Sequence, residues 1–180
     1  MDEIVSRLID DDEILVRFLF RGDFKRKKSI SIENINKREV FLDTRGPQIS
    51  LLRERYNDET ECKDRGLQIT TDLVGFVIFQ KEKYIKIYKN YKENIVNHFD
   101  AELRSSPLDE NLDVIPESID ITRKTPISPA HADLTYINPG IDETAESTNL
   151  AIKRFSEFLF KDCKVVMLED IEEEVFKKVI

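Results

Sequence analysis

Residues 13–20 (EILVRFLF) place apolar side chains on both sides of an extended chain. Ile14, Val16, Phe18 and Phe20 share one face, and Leu15, Arg17 and Leu19 the other. A strand apolar on both faces lies inside a sheet, so Arg17 carries a charge inward and needs a carboxylate, phosphate or carbonyl partner. The middle of the chain repeats the β signal. Residues 73–79 (LVGFVIF) form an unbroken run rich in β-formers, and residues 83–89 (KYIKIYK) alternate. Residues 80–82 join the two, which predicts a hairpin with Tyr84 and Tyr88 among lysines on its outer side. Leu134 to Ile137 reads as a short strand closed by the turn at Asn138, Pro139 and Gly140.

Helical spacing marks other stretches. Ile4, Val5, Leu8 and Ile9 predict a turn or two of helix at the start. Asn57 or Asp58 caps a short helix that Gly66 stops. From about Ser147, the residues Leu150, Ala151, Phe155, Phe158 and Leu159 form one apolar stripe. A strand over residues 164–168 and a terminal helix over 170–178 follow, the latter capped by Asp170 with acids early and lysines late. Residues 29–35 and 39–42 are strand or single helical turns, residues 44–47 a turn, and residues 90–123 carry no clear period. The expected fold is α+β: a mixed, partly antiparallel sheet ending in helix, strand and helix. Residues 1–140 form the core domain, with residues 141–180 an extension packed on it.

Composition narrows the class. The 180 residues are 40% hydrophobic and 36% charged, with five Gly and six Pro, as in a globular domain able to bury a core. A formal net charge of -8 disfavours non-specific binding to nucleic acid or anionic membrane. No apolar run approaches a bilayer span, and no signal region precedes the acidic start. Cys62 and Cys163 stand far apart, as reduced thiols of a cytoplasmic protein do. The basic tip of residues 25–28 (KRKK) reads as a solvated loop.

Candidate chemistry centres on residues 125–136 (TPISPAHADLTY). Pro126 and Pro129 stiffen the approach to His131, which they leave on a rigid loop at the mouth of a strand. A neutral imidazole there serves as base, donor or metal ligand, or locks the loop through a carbonyl. Ser50 and Arg53 fall at the end of residues 49–56, beside the helix that follows. Arg17, Ser50, Arg53 and His131, if brought together, suit a phosphate-bearing substrate or nucleotide, with His131 as acid or base. Cys62, His98, His131 and Cys163 lack the paired spacing of a metal site, so no metal and no cofactor is expected.

Three segments carry a family resemblance: Leu15-Val16-Arg17 in an early strand, residues 49–53 (ISLLR), and residues 128–134 (SPAHADL). Their order resembles a set of small uncharacterised bacterial proteins with an early "x-x-R" strand, an "L-S-V-x-R" segment and a late "N-P-x-H-A-x-I" motif. Here Ser128 replaces the usual Asn, and a long C-terminal extension from Ile141 follows. The resemblance implies a bacterial cytoplasmic protein encoded beside a larger effector in a defence or toxin locus, and it brings no established activity. The reading is therefore an accessory protein that binds a larger protein partner. The alternative is a small enzyme or nucleotide-binding domain using Arg17, Arg53 and His131. A nucleic-acid binder through residues 25–28 and Tyr84/Tyr88 is the third reading. Homodimerisation through residues 73–79 or the last helix stays open.

Overall fold

The computed structural model describes residues 3–26, 28–42, 47–94, 99–124, 128–137 and 145–180. Among these residues six strands form one antiparallel sheet: β1 (Ile14–Phe20), β2 (Gln48–Arg53), β3 (Leu73–Gln80), β4 (Asp100–Ser105), β5 (His131–Ile137) and β6 (Lys164–Met167). Their spatial order is β4-β5-β2-β1-β3-β6. Among the described residues four helices accompany them: α1 (Glu59–Ile69), α2 (Lys81–Asn94), α3 (Ala145–Lys161) and α4 (Val175–Val179). The α+β class and the closing helix, strand and short helix match the sequence pattern.

Alternation along β1 feeds two cores. Leu15 and Leu19 join Ile49, Leu51, Val77, Phe79 and Leu134 under α2 and α3. Val16 and Phe18 join Leu52, Phe76, Ile78, Cys62 and Phe176 under α1 and α4. Phe155 of α3 is fully buried against Tyr84, Tyr91, Phe99 and Tyr136, at centroid separations of 5.4–6.3 Å. Such edge-on ring pairs add about 0.5–1.5 kcal/mol each beyond area burial. β6 is the outer neighbour of β3, with Gly75 opposite Met167.

Residues 83–89 are helical rather than a hairpin strand, as part of α2. Tyr84, Tyr88 and Tyr91 repeat at i, i+4 and i+7, and Tyr91 breaks the tie that two-residue alternation left. Tyr84 and Tyr91 are buried and donate to the carbonyls of Ala101 and Ala151 at 2.9 and 3.0 Å. Those two rings are therefore core, not an outward face for bases. The first residues form no helix. Their Ser6 and Leu8 carbonyls accept from the Arg53 guanidinium, and Val5 N–H donates to Ile121 O at 3.0 Å. A helix would claim those groups for itself.

Asp58 caps α1 and Glu61 closes the box in return, at 2.8 and 2.9 Å. Gly66 lies inside this helix instead of ending it. A Cβ there would meet Leu73 Cδ2 at 2.6 Å, so the glycine lets α1 lie against the start of β3. The terminal helix is only five residues, because Glu174 takes a left-handed φ of 58° and Asp170 ends a separate 3-10 turn. Phe176 is drawn onto Phe76 at 5.4 Å, and its N–H donates to Glu59 Oε1 at 3.0 Å. β4 lies in the stretch without clear period, its alternation blurred by Asp100, Glu102 and Arg104 at an edge. His98, residues 44–46, residues 125–127 and residues 138–140 lie outside the described residues.

Candidate functional site

The seam between β1 and β2 is only half closed. Leu15 pairs with Arg53 and Val16 with Leu52, and the ladder ends there, whereas β2 pairs with β5 from Gln48 to Leu52. Arg53 N–H donates to Ala130 O on the β5 side. Antiparallel alternation therefore aims the backbone groups of Leu52 and Ser50 at β1, and those of Val16, Phe18 and Phe20 at β2. Side chains satisfy two of the groups that have lost a strand. Arg17 Nη1 donates to Phe18 O, and Phe20 N–H donates to Asp23 Oδ2, both at 2.8 Å.

A cavity of about 770 Å³ occupies this opening. Phe18, Phe20, Ile49, Leu51, Leu52 and Leu108 make its walls apolar. Ile69 and Leu112 also line it while remaining 62% and 68% exposed, so its rim is apolar too. Leu112 holds a left-handed φ of 67°, which costs a non-glycine residue about 1–2 kcal/mol. Polar groups reach the lining from Arg17, Ser50, Arg65, Gln68, Ser128 and His131. Among the described lining residues there is no Asp or Glu.

His131 opens β5 rather than sitting on the loop before it, with its side chain nearly buried. Nδ1 lies 2.8 Å from Ser106 O and 3.0 Å from Ser106 Oγ. The carbonyl can only accept, so Nδ1 carries the proton and Nε2 is left as the free basic atom of the neutral ring. Nε2 stands 3.8 Å from Asp133 Oδ1, which is two residues along the same face. Burial holds the His131 pKa below its ordinary value, against the upward pull of Asp133 and of Ser106 O, while nearby Arg65 adds to the depression. Burial likewise lowers the pKa of Arg65. Arg65 makes no hydrogen bond or ion pair among the described residues. Ser106, His131 and Asp133 have the composition of a nucleophilic triad but not its wiring. Ser106 is 5% exposed and off the cavity lining, and it meets a nitrogen already donating to its own carbonyl.

Of the four residues singled out from sequence, Arg17, Ser50 and His131 line this one cavity, and Arg53 does not. Arg53 is fully buried at the end of β2, outside that lining. It pairs with Glu13 through Nη2–Oε1 at 2.6 Å and Nε–Oε2 at 2.7 Å, and lies 4.8 Å over the Tyr56 ring. Ser6 O, Leu8 O and Ser105 Oγ take the remaining donors. Its role is to clamp the N-terminal segment onto the sheet. The sequence reading passed over Arg65, Asp133 and Ser106. Asp133, two residues past His131 in a strand, was the one findable by spacing. Among the described residues, no group of three or more His, Cys, Asp or Glu is placed to hold a metal, and Cys62 and Cys163 are both free. No helix among them is long and apolar enough to cross a membrane.

A second cavity, of about 740 Å³, is lined by Asp10, Asp12, Glu13, Glu54 and Asp58 with Arg55, Arg123 and Lys177. Its charges answer one another, as in Arg55–Asp10 at 2.6 Å and Lys177–Glu54 at 3.4 Å. No family model, curated protein or solved structure matches the chain.

Proposed function

We propose that this protein is an accessory interaction protein that binds a segment of a larger protein partner in the cavity at the β1–β2 seam. The observation that carries the reading is the lining: apolar walls and rim, the uncommitted Arg65 beside His131, and no carboxylate among the described lining residues. In a chain with 36 acidic residues, such a lining favours an acidic partner bearing apolar side chains. An exposed apolar rim of this kind marks interaction sites more often than bare surface. The setting that goes with it is the one the family resemblance implies, a bacterial cytoplasmic protein encoded beside a larger effector.

The test is a pull-down of tagged protein from its native host with mass spectrometry, run beside Leu112→Asp and Arg65→Ala. A stoichiometric protein retained by the wild type and lost from both variants supports the reading. A wild type that carries no protein but brings down a nucleotide or other phosphate-bearing molecule contradicts it. That outcome belongs to a second reading, a phosphate-bearing small molecule, which Arg17, Ser50 and His131 favour by lining one cavity of ligand size. Arg53 takes no part in either.

A further inference from the structure

We propose that the occupant of the cavity is an extended acidic peptide that enters the open seam as a strand, hydrogen-bonding Phe18 of β1 and Ser50 of β2 through its backbone. This inference rests on the partner-binding reading above and states how that partner is held. The broken ladder is its foundation. Phe18 N–H and the N–H and C=O of Ser50 face the opening by alternation, and the two strands share no pairing beyond Val16 and Leu52. Backbone donors and acceptors at a sheet opening are the recognition surface that strand addition uses. The two neighbouring groups that have been satisfied, Phe18 O by Arg17 and Phe20 N–H by Asp23, are satisfied by side chains rather than by a neighbouring strand.

The side-chain chemistry of the occupant follows from the walls. In an added strand, alternate residues point to opposite faces of the sheet. Those facing α1 meet Phe18, Phe20, Leu52 and the rim residues Ile69 and Leu112, and so are apolar. Arg65 lies on the same side and receives a carboxylate where the peptide reaches the C-terminal end of α1, beside the neutral His131. Arg17, whose Nη1 caps Phe18 O, also lines the opening, and its positive charge favours an acidic peptide there.

The experiment begins with selection from a displayed library of random ten-residue peptides. Binders are then synthesised as a series N-methylated at one position at a time, and titrated into 15N-labelled protein. The expected result is enrichment of acidic sequences with alternating apolar residues. Affinity then falls about tenfold on N-methylation at the two adjacent positions whose N–H groups donate to Phe18 O and to Ser50 O, and little at positions outside the seam, as the loss of single backbone hydrogen bonds requires. The Phe18 and Ser50 amides become protected from hydrogen exchange on binding. Peptides whose affinity survives N-methylation at every position, with no protection at these amides, overturn the strand mode, while the partner-binding reading stands on its own pull-down. A library that yields no binder, with nucleotides or fatty acids shifting the same resonances, overturns both.

Discussion

Replacing Glu13 by alanine strips the fully buried Arg53 of its two carboxylate contacts, at 2.6 and 2.7 Å, in a pair whose side chains are 0% and 2% exposed. Removing one partner of a buried ion pair costs about 3–5 kcal/mol, because the remaining charge stays out of water. Arg53 keeps the carbonyls of Ser6 and Leu8 and the Tyr56 ring, so the lower end, about 3 kcal/mol, applies. For a chain of this size that lowers the melting temperature by about 6–12 °C. Urea unfolding followed by circular dichroism gives the free energy directly. A double variant, Glu13→Leu with Arg53→Met, removes both charges and is expected to lose less than the two single variants summed. A cost below about 1 kcal/mol for Glu13→Ala, or strict additivity in the double variant, would refute the burial argument.

Three further outcomes follow from particular contacts. Gly75→Ala places a Cβ 2.5 Å from Val166 O and 3.1 Å from Met167 Cα, both backbone, so it lowers stability by about 1–3 kcal/mol and speeds amide exchange in β6 first. Tyr136→Phe strands the buried Phe41 carbonyl that its hydroxyl now meets at 2.7 Å, a loss of about 1–2 kcal/mol in urea denaturation. His131 has a folded pKa below its unfolded value of 6.5, so the unfolded chain binds the extra proton. Its effect is absent above that value, and stability falls as pH drops below 6.5 toward the folded value. Melting curves at pH 7.5 and 5.5 test this, and His131→Gln is expected to lose that share of the pH dependence.

Much of the fold was legible because the strands in the interior of the sheet are apolar on both faces, as in β1 and β3, or because a stripe repeats over several turns, as in α3. Residues 83–89 show where local pattern fails. Tyr84, Lys86 and Tyr88 fit an edge strand and a helix equally, and it is Tyr91 further on, with the partner rings of Phe99 and Phe155, that decides. β4 was hidden for the opposite reason, since an edge strand with three charges needs no apolar face. The site was legible in its residue types but not in its grouping. Arg17, Ser50 and His131 converge because β1 and β2 part after Val16, which no local pattern in either strand records. Arg53 and Arg17 looked alike, each an arginine in an apolar strand. A buried Glu13, 40 residues away from Arg53, is what separates them.

The state of the seam is best measured by amide hydrogen exchange on the free protein at single-residue resolution. The account predicts that Phe18 and Ser50 exchange far faster than Leu15, Leu51 and Ile78, whose groups lie in continuous ladders. Equal protection along the whole of β1 and β2 would mean that the two strands are zipped together, and would remove the opening on which the proposed binding site depends.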